Sequence, residues 1–151
     1  MVAYSFQSQF APPIQLGIRN PFAPGAKLQT IRAHRKRHAR AEELIQLYTG
    51  MRTKSCAKII PDQICEDIFN LRFEVTSKGI RDAAFGLSEP RFAIDKIDEF
   101  AIEDGFVDGD AMAAFWMDSH GDGLFEGVLI KWFPEEHLAA RHELSMKALA
   151  A

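Results

Sequence analysis

A chain of 151 residues, 47% hydrophobic and 26% charged, has the composition of one globular domain able to bury a core, and it is short for two. Its two cysteines, Cys56 and Cys65, lack Cys-x-x-Cys spacing and a histidine cluster, which excludes a disulfide framework and a zinc ribbon and leaves both as reduced, structural residues. The net charge of −3 hides a polarised chain: residues 1–58 carry 10 of the 18 Lys+Arg and 2 of the 21 Asp+Glu, about +8, while residues 59–151 carry 8 and 19, about −11.

Residues 2–7 alternate like a short strand, and Pro12-Pro13 opens a brief helical turn that ends near Gly17. Asn20 to Gly25 reads as a loop. Leu44 to Tyr48 alternates again, Thr49-Gly50 marks a turn, and Met51 to Ile60 reads as a strand in which Arg52, Lys54, Cys56 and Lys58 share one parity, sending three cations to one face. Residues 64–76 have a strand rhythm, residues 77–90 are rich in turns, and Phe92 to Ile94 is a short strand.

Asp98 is expected to cap a short helix stopped by Gly105, and Asp110 to Ser119 to form a second that ends at Gly121. Phe125 to Phe133 is the clearest strand. Pro134-Glu135-Glu136 then opens a last helix reaching about Ala148, whose stripe of Leu138, His142, Ser145 and Leu149 would pack on the domain or on a second copy. Short strands with local helices and no βαβ rhythm give an α+β domain over residues 1–133, built on a small barrel of about five to six strands, with residues 134–151 as a C-terminal helix.

Clustered cations beside apolar strands collect polyanions, so nucleic acid is the first partner expected. Arg32, Arg35, Lys36, Arg37 and Arg40, interleaved with His34 and His38, resemble a strip that pairs with successive phosphates and would release its ligand as salt rises. Tyr48 stands between this tract and the Arg52–Lys58 segment, where its ring would stack on an unpaired base. Lys54 would serve a phosphate or a developing oxyanion. Lys27 and Thr30, three apart, reach one pocket only if the backbone bends between them; a desolvated lysine there would act as base toward the hydroxyl or a water. His120 reads as a turn residue. No apolar run approaches a membrane span and residues 1–7 lack the flank of a leader, so a cytoplasmic protein without membrane contact, monomeric or weakly dimeric, is expected.

Several motifs together resemble the ASCH domain family, small barrels related to the PUA RNA-binding fold. They are Phe10-x-x-x-Ile14-x-x-Gly17, Gly25-x-Lys27-x-x-Thr30-Ile31-Arg32, Leu47-Tyr48-Thr49-Gly50, Ala101-x-x-Asp104-Gly105-Phe106, Phe115-Trp116 and Phe125-x-Gly127-x-Leu129-Ile130-x-Trp132. The resemblance spans roughly residues 4–133 and is nearest to bacterial and phage-type members. It implies a cleft between barrel and helices that takes RNA or a nucleoside. Some members bind single-stranded RNA and cut it with magnesium; others remove the acetyl group from acetylated cytidine with a lysine, a threonine and an acid, here Lys27, Thr30 and Asp104, with Glu103 as the neighbouring acid. Gly17-Ile18-Arg19 and Gly25-Ala26-Lys27 both fit the family's glycine-to-lysine junction. The expectation is a protein that binds single-stranded RNA in a basic cleft between barrel and helices, with magnesium-dependent cleavage of that RNA secondary to binding, an acetylcytidine amidohydrolase or a non-catalytic RNA reader being the alternatives.

Overall fold

The computed structural model describes residues 1–21, 23, 25–87 and 91–133. The expected C-terminal helix, with Leu138, His142, Ser145 and Leu149, lies outside them. The first strand, β1 (Val2–Phe6), forms because Val2, Tyr4 and Phe6 alternate with small half-buried residues, which gives an extended chain one continuous apolar face. Helix α1 (Ala11–Arg19) follows a single 3-10 turn at Ser8–Phe10 and carries its prolines in the first turn, where no intrahelical N–H is lost. It runs two residues past the expected stop, because Gly17 is a contact point rather than a cap: a Cβ there would lie 2.9 Å from Leu28 Cδ2.

The remaining elements are β2 (Gln29–Ala33), β3 (Leu44–Thr49), β4 (Ala57–Lys58), β5 (Gln63–Thr76), β6 (Gly79–Phe85), β7 (Phe92–Ala93), α2 (Ile97–Glu103), α3 (Gly109–His120) and β8 (Gly123–Phe133). The fold is mixed α+β, with a sheet of eight strands and three short α-helices among the described residues. β1 runs parallel to β3; the path continues antiparallel through β5 and β8 to β2. β4 adds to β3, while β6 and β7 extend from β5. β1 and β2 have no backbone pairing with each other, so the sheet is not closed into a barrel.

Two apolar clusters form on opposite faces of β8, whose Val128, Ile130 and Trp132 join one and whose Leu129 joins the other. The register break between Cys65 and Asp67 makes β5 serve both: Cys65 before it packs in the first cluster, and Leu71, Phe73 and Val75 after it pack in the second. Ile14 of α1 packs in the first; Phe100 of α2 and Met112 and Trp116 of α3 pack in the second.

Three sequence expectations are corrected. Residues 51–55 form consecutive turns, and only Ala57–Lys58 is strand, because Gly50 (φ 62°) and Arg52 (φ 65°) adopt left-handed backbone and the Thr53 hydroxyl donates to Gly50 O at 2.6 Å. Arg52, Lys54 and Lys58 therefore do not share a strand face. Residues 79–85, expected within a turn-rich stretch, form β6. Asp98 does not cap α2, which begins at Ile97; its carboxylate instead accepts from Gly109 N at 2.8 Å and ties the starts of the two helices together.

Candidate functional site

Leu28 is the point at which the chain changes partner. Lys27 forms an isolated antiparallel bridge with Asp104, Leu28 N donates to Glu103 O at 3.2 Å, and Leu28 O accepts from Trp132 N at 2.9 Å before β2 pairs with β8. Two successive partners bend the segment, so Lys27 and Thr30 line one cleft of about 250 Å³ although strict alternation would separate them. The cleft also takes Ser5, Phe6 and Gln7 from the end of β1, Arg32 from β2, and Asp104 from the corner after α2. It therefore occupies the seam between β1 and β2.

Lys27 and Asp104 are 3% and 4% exposed. The Lys27 ammonium donates to Asp104 Oδ1 at 3.2 Å and to Asp104 O at 2.8 Å, and lies 5.1 Å from the Phe10 ring centroid. Burial pushes the Lys27 amine below its ordinary range and the Asp104 carboxyl above its own; in each, attraction to the partner opposes the shift. The pair thus stands nearer to exchanging its proton than a surface ion pair would. Gly105 (φ 94°) makes this packing possible, since a Cβ there would come within 3.0 Å of Lys27 Cβ.

Arg32 reaches across the seam. Its Nη2 donates to Ser5 O at 2.7 Å and its Nε to Thr30 Oγ1 at 3.1 Å, while its guanidinium carbon lies 4.7 Å from the Phe6 ring centroid and 5.5 Å from that of Tyr4. With an N–H directed at its oxygen, the Thr30 hydroxyl is left to donate its own proton elsewhere. Gln29, wholly buried, lies beside Asp104 close enough to favour the ionised carboxylate, yet neither of its amide atoms makes a protein hydrogen bond of good geometry. The opposite wall is aromatic, with Phe106, Phe115, Trp116 and Phe125, and His120 stacks on Trp116 with ring centroids 4.5 Å apart.

The other sequence candidates lie outside the cleft. Tyr48 sits in β3 opposite Ser5 of β1 and Lys58 of β4, half-exposed. Arg52 and Lys54 are exposed in turns, and Lys58 pairs with Asp62. The basic tract folds back on β1: Arg35 stands 4.8 Å from the Tyr4 ring centroid, the Tyr4 hydroxyl accepts from Ala39 N at 3.0 Å, and Arg37 pairs with Glu43. Lys36 and Arg40 are exposed. Glu103 points to Lys131, at 3.8 Å, so Asp104 is the acid of the cleft. Of the two glycine-to-cation segments, Gly25-Ala26-Lys27 brings its lysine to the cleft, and Arg19 does not line it.

Sequence reading missed Gln29, Ser5, Gln7 and the part played by His120. Only the aromatic wall had a signal, in the Phe10, Phe106, Phe115-Trp116 and Phe125 motifs. Among the described residues, no three of His, Cys, Asp and Glu come together as a metal cradle. The cleft's one carboxylate is already engaged by Lys27, so its residues do not fit magnesium, which needs several oxygen ligands. Among the described residues no helix is long and apolar enough to cross a membrane. No family model, no curated protein and no solved structure matches the chain.

Proposed function

We propose that the cleft is the active site of an amidohydrolase that removes an acyl group from a nucleoside, with acetylcytidine as the first substrate to test. The observation that carries this reading is the buried Lys27–Asp104 pair sharing one aromatic-walled, nucleoside-sized cleft with Thr30. On this reading the open sheet is the PUA-like barrel of the ASCH family, with its seam at β1 and β2.

The base stacks on the aromatic wall, and the acyl carbonyl lies against Thr30. In its neutral form Lys27 takes the Thr30 hydroxyl proton as Oγ1 bonds to the acyl carbon, and Arg32, whose Nε donates to Oγ1, orients the hydroxyl. The C–N bond then breaks, the departing amine takes the proton from Lys27, and water releases the acyl group from Thr30. Asp104 holds Lys27 in place and raises its proton affinity, with Gln29 beside the carboxylate.

Incubation with acetylcytidine, read as acetate and cytidine formed, tests the reading. Turnover lost in Lys27→Ala, with an unchanged circular dichroism spectrum, is expected; an inactive wild-type protein would overturn it. A second reading, binding and cleavage of single-stranded RNA, draws on Lys36, Arg40, Arg52 and Lys54, which are exposed and make no ion pair among the described residues. It predicts salt-sensitive binding of a labelled RNA and cleavage lost in Lys54→Ala. Binding without cleavage or nucleoside turnover would favour a non-catalytic reader.

A further inference from the structure

The cleft and its rim carry more positive charge than a neutral nucleoside needs. Lys27 is balanced by Asp104, the one carboxylate among the lining residues. Among the described residues Arg32 has no carboxylate partner, and neither does Arg35, two residues beyond the cleft-lining Ala33 that ends β2. The two guanidinium carbons lie 5.5 and 4.8 Å from the same Tyr4 ring centroid, and the charge of Arg35 acts on Arg32 with no acid paired to either among the described residues. Such a pair costs free energy unless an anion joins it.

The donors are also left over. Arg32 spends Nε on Thr30 and Nη2 on Ser5 O; Arg35 spends Nε on Arg37 O at 2.8 Å and directs Nη2 at Ala3 O at 3.5 Å. Nη1 of each makes no hydrogen bond with the described protein. Both guanidinium groups are fixed by these contacts and by the Tyr4 ring, so they are ordered before any ligand arrives. Burial and the neighbouring Arg35 lower the proton affinity of Arg32, which an anion would restore.

We propose that the ligand of this cleft carries a phosphate, held between Arg32 and Arg35 at the rim while the base lies on the aromatic wall. The assignment rests on the reading of the cleft as a nucleoside pocket, and it makes a nucleoside phosphate, not the free nucleoside, the preferred ligand class. A phosphate monoester of a free nucleotide and the diester of a strand share this chemistry.

The test is calorimetric titration of the full chain at low salt with cytidine, cytidine 5′-monophosphate and a short single-stranded cytidylate RNA. Two charge-assisted contacts should make a phosphate-bearing ligand bind at least about tenfold more tightly than cytidine. In Arg35→Gln, a substitution at an exposed residue, that advantage should fall to within about twofold while cytidine binding is unchanged. The monophosphate outbinding the RNA identifies a free nucleotide as the source, and the reverse identifies a strand; both support the site. Equal binding of cytidine and both phosphates, an advantage kept in Arg35→Gln, or no binding of any of the three would overturn it. Acetate release from acetylcytidine is a separate measurement, so a phosphate preference without turnover would remove the hydrolase and leave this assignment standing.

Discussion

Arg32 and Ser5 are joined across the open seam of the sheet by one hydrogen bond of 2.7 Å, from a guanidinium nitrogen to a backbone carbonyl. The same guanidinium holds Thr30, so the latch of the seam and the orientation of the hydroxyl are one interaction. Thr30→Val keeps shape and removes the oxygen that accepts from Arg32 Nε. Hydrolysis of acetylcytidine is expected to fall by about six orders of magnitude, as when an attacking oxygen is deleted, and Thr30→Ser to retain measurable kcat. Steady-state rates of the two variants check this; an active Thr30→Val would remove Thr30 from the chemistry.

The buried pair predicts opposite pH trends for its two deletions. In Asp104→Asn the attraction that raised the Lys27 pKa is gone, so the folded value drops further below the unfolded one. Between these values the unfolded chain binds the extra proton, and stability rises with pH, giving a higher Tm at about pH 9 than at about pH 6. In Lys27→Met the Asp104 pKa climbs further above its unfolded value. There the folded chain binds the extra proton, stability falls as pH rises through the folded value, and Tm is higher at about pH 5 than at about pH 8. Each deletion should cost about 3–5 kcal/mol where the remaining group is charged. Thermal unfolding across pH reads both slopes.

Gly105 and Gly127 are expected to resist substitution for different reasons. Gly105→Ala places a Cβ at left-handed backbone and against the Lys27 side chain, costing about 1–3 kcal/mol and displacing the amine, so kcat should fall with Tm. Gly127→Ala directs its Cβ into the Arg32 carbonyl and the Phe125 ring, and because a backbone atom cannot give way, β8 and β2 must separate. Soluble yield and circular dichroism compare them: Gly127→Ala should be the more disruptive, and near-wild-type unfolding would contradict the packing described.

Tyr4 anchors the basic tract through one oxygen. Tyr4→Phe leaves the buried Ala39 N–H without its acceptor, at a cost of about 1–3 kcal/mol. A few degrees lost from Tm, with faster amide exchange at Ala39, is the expected result. Unchanged exchange at Ala39 would mean that the tract is held by its other contacts.

β1 and β3 were legible because one face of each is apolar and period two is visible in the residues, and β8 because its apolar run packs on both faces. β6 was hidden: in Gly79-Ile-Arg-Asp-Ala-Ala-Phe, a left-handed Asp82 and a register break opposite Arg72 and Glu74 interrupt the alternation. Residues 51–58 misled in the other direction, since charged residues at every second position imitate a strand even where Gly50 and Arg52 reverse the chain. Lys27, Thr30 and Asp104 could be gathered only through resemblance. Their meeting depends on Leu28 changing partner and on contacts 77 residues apart, which no local period encodes. Gln29 left no trace, because a buried amide reads in sequence like any exposed one.

The seam between β1 and β2 bears on more than ligand entry. Among the described residues each strand has one edge with no backbone partner in the sheet, and such edges are templates on which a second chain can add a strand. Here the two unpaired edges face a cleft lined by aromatic rings and bridged by the Arg32 side chain, so neither is presented flat to solvent. The place where the sheet fails to close is thus both the opening for a small ligand and a shielded margin, and a lost Arg32 would cost the protein its solubility as well as its chemistry.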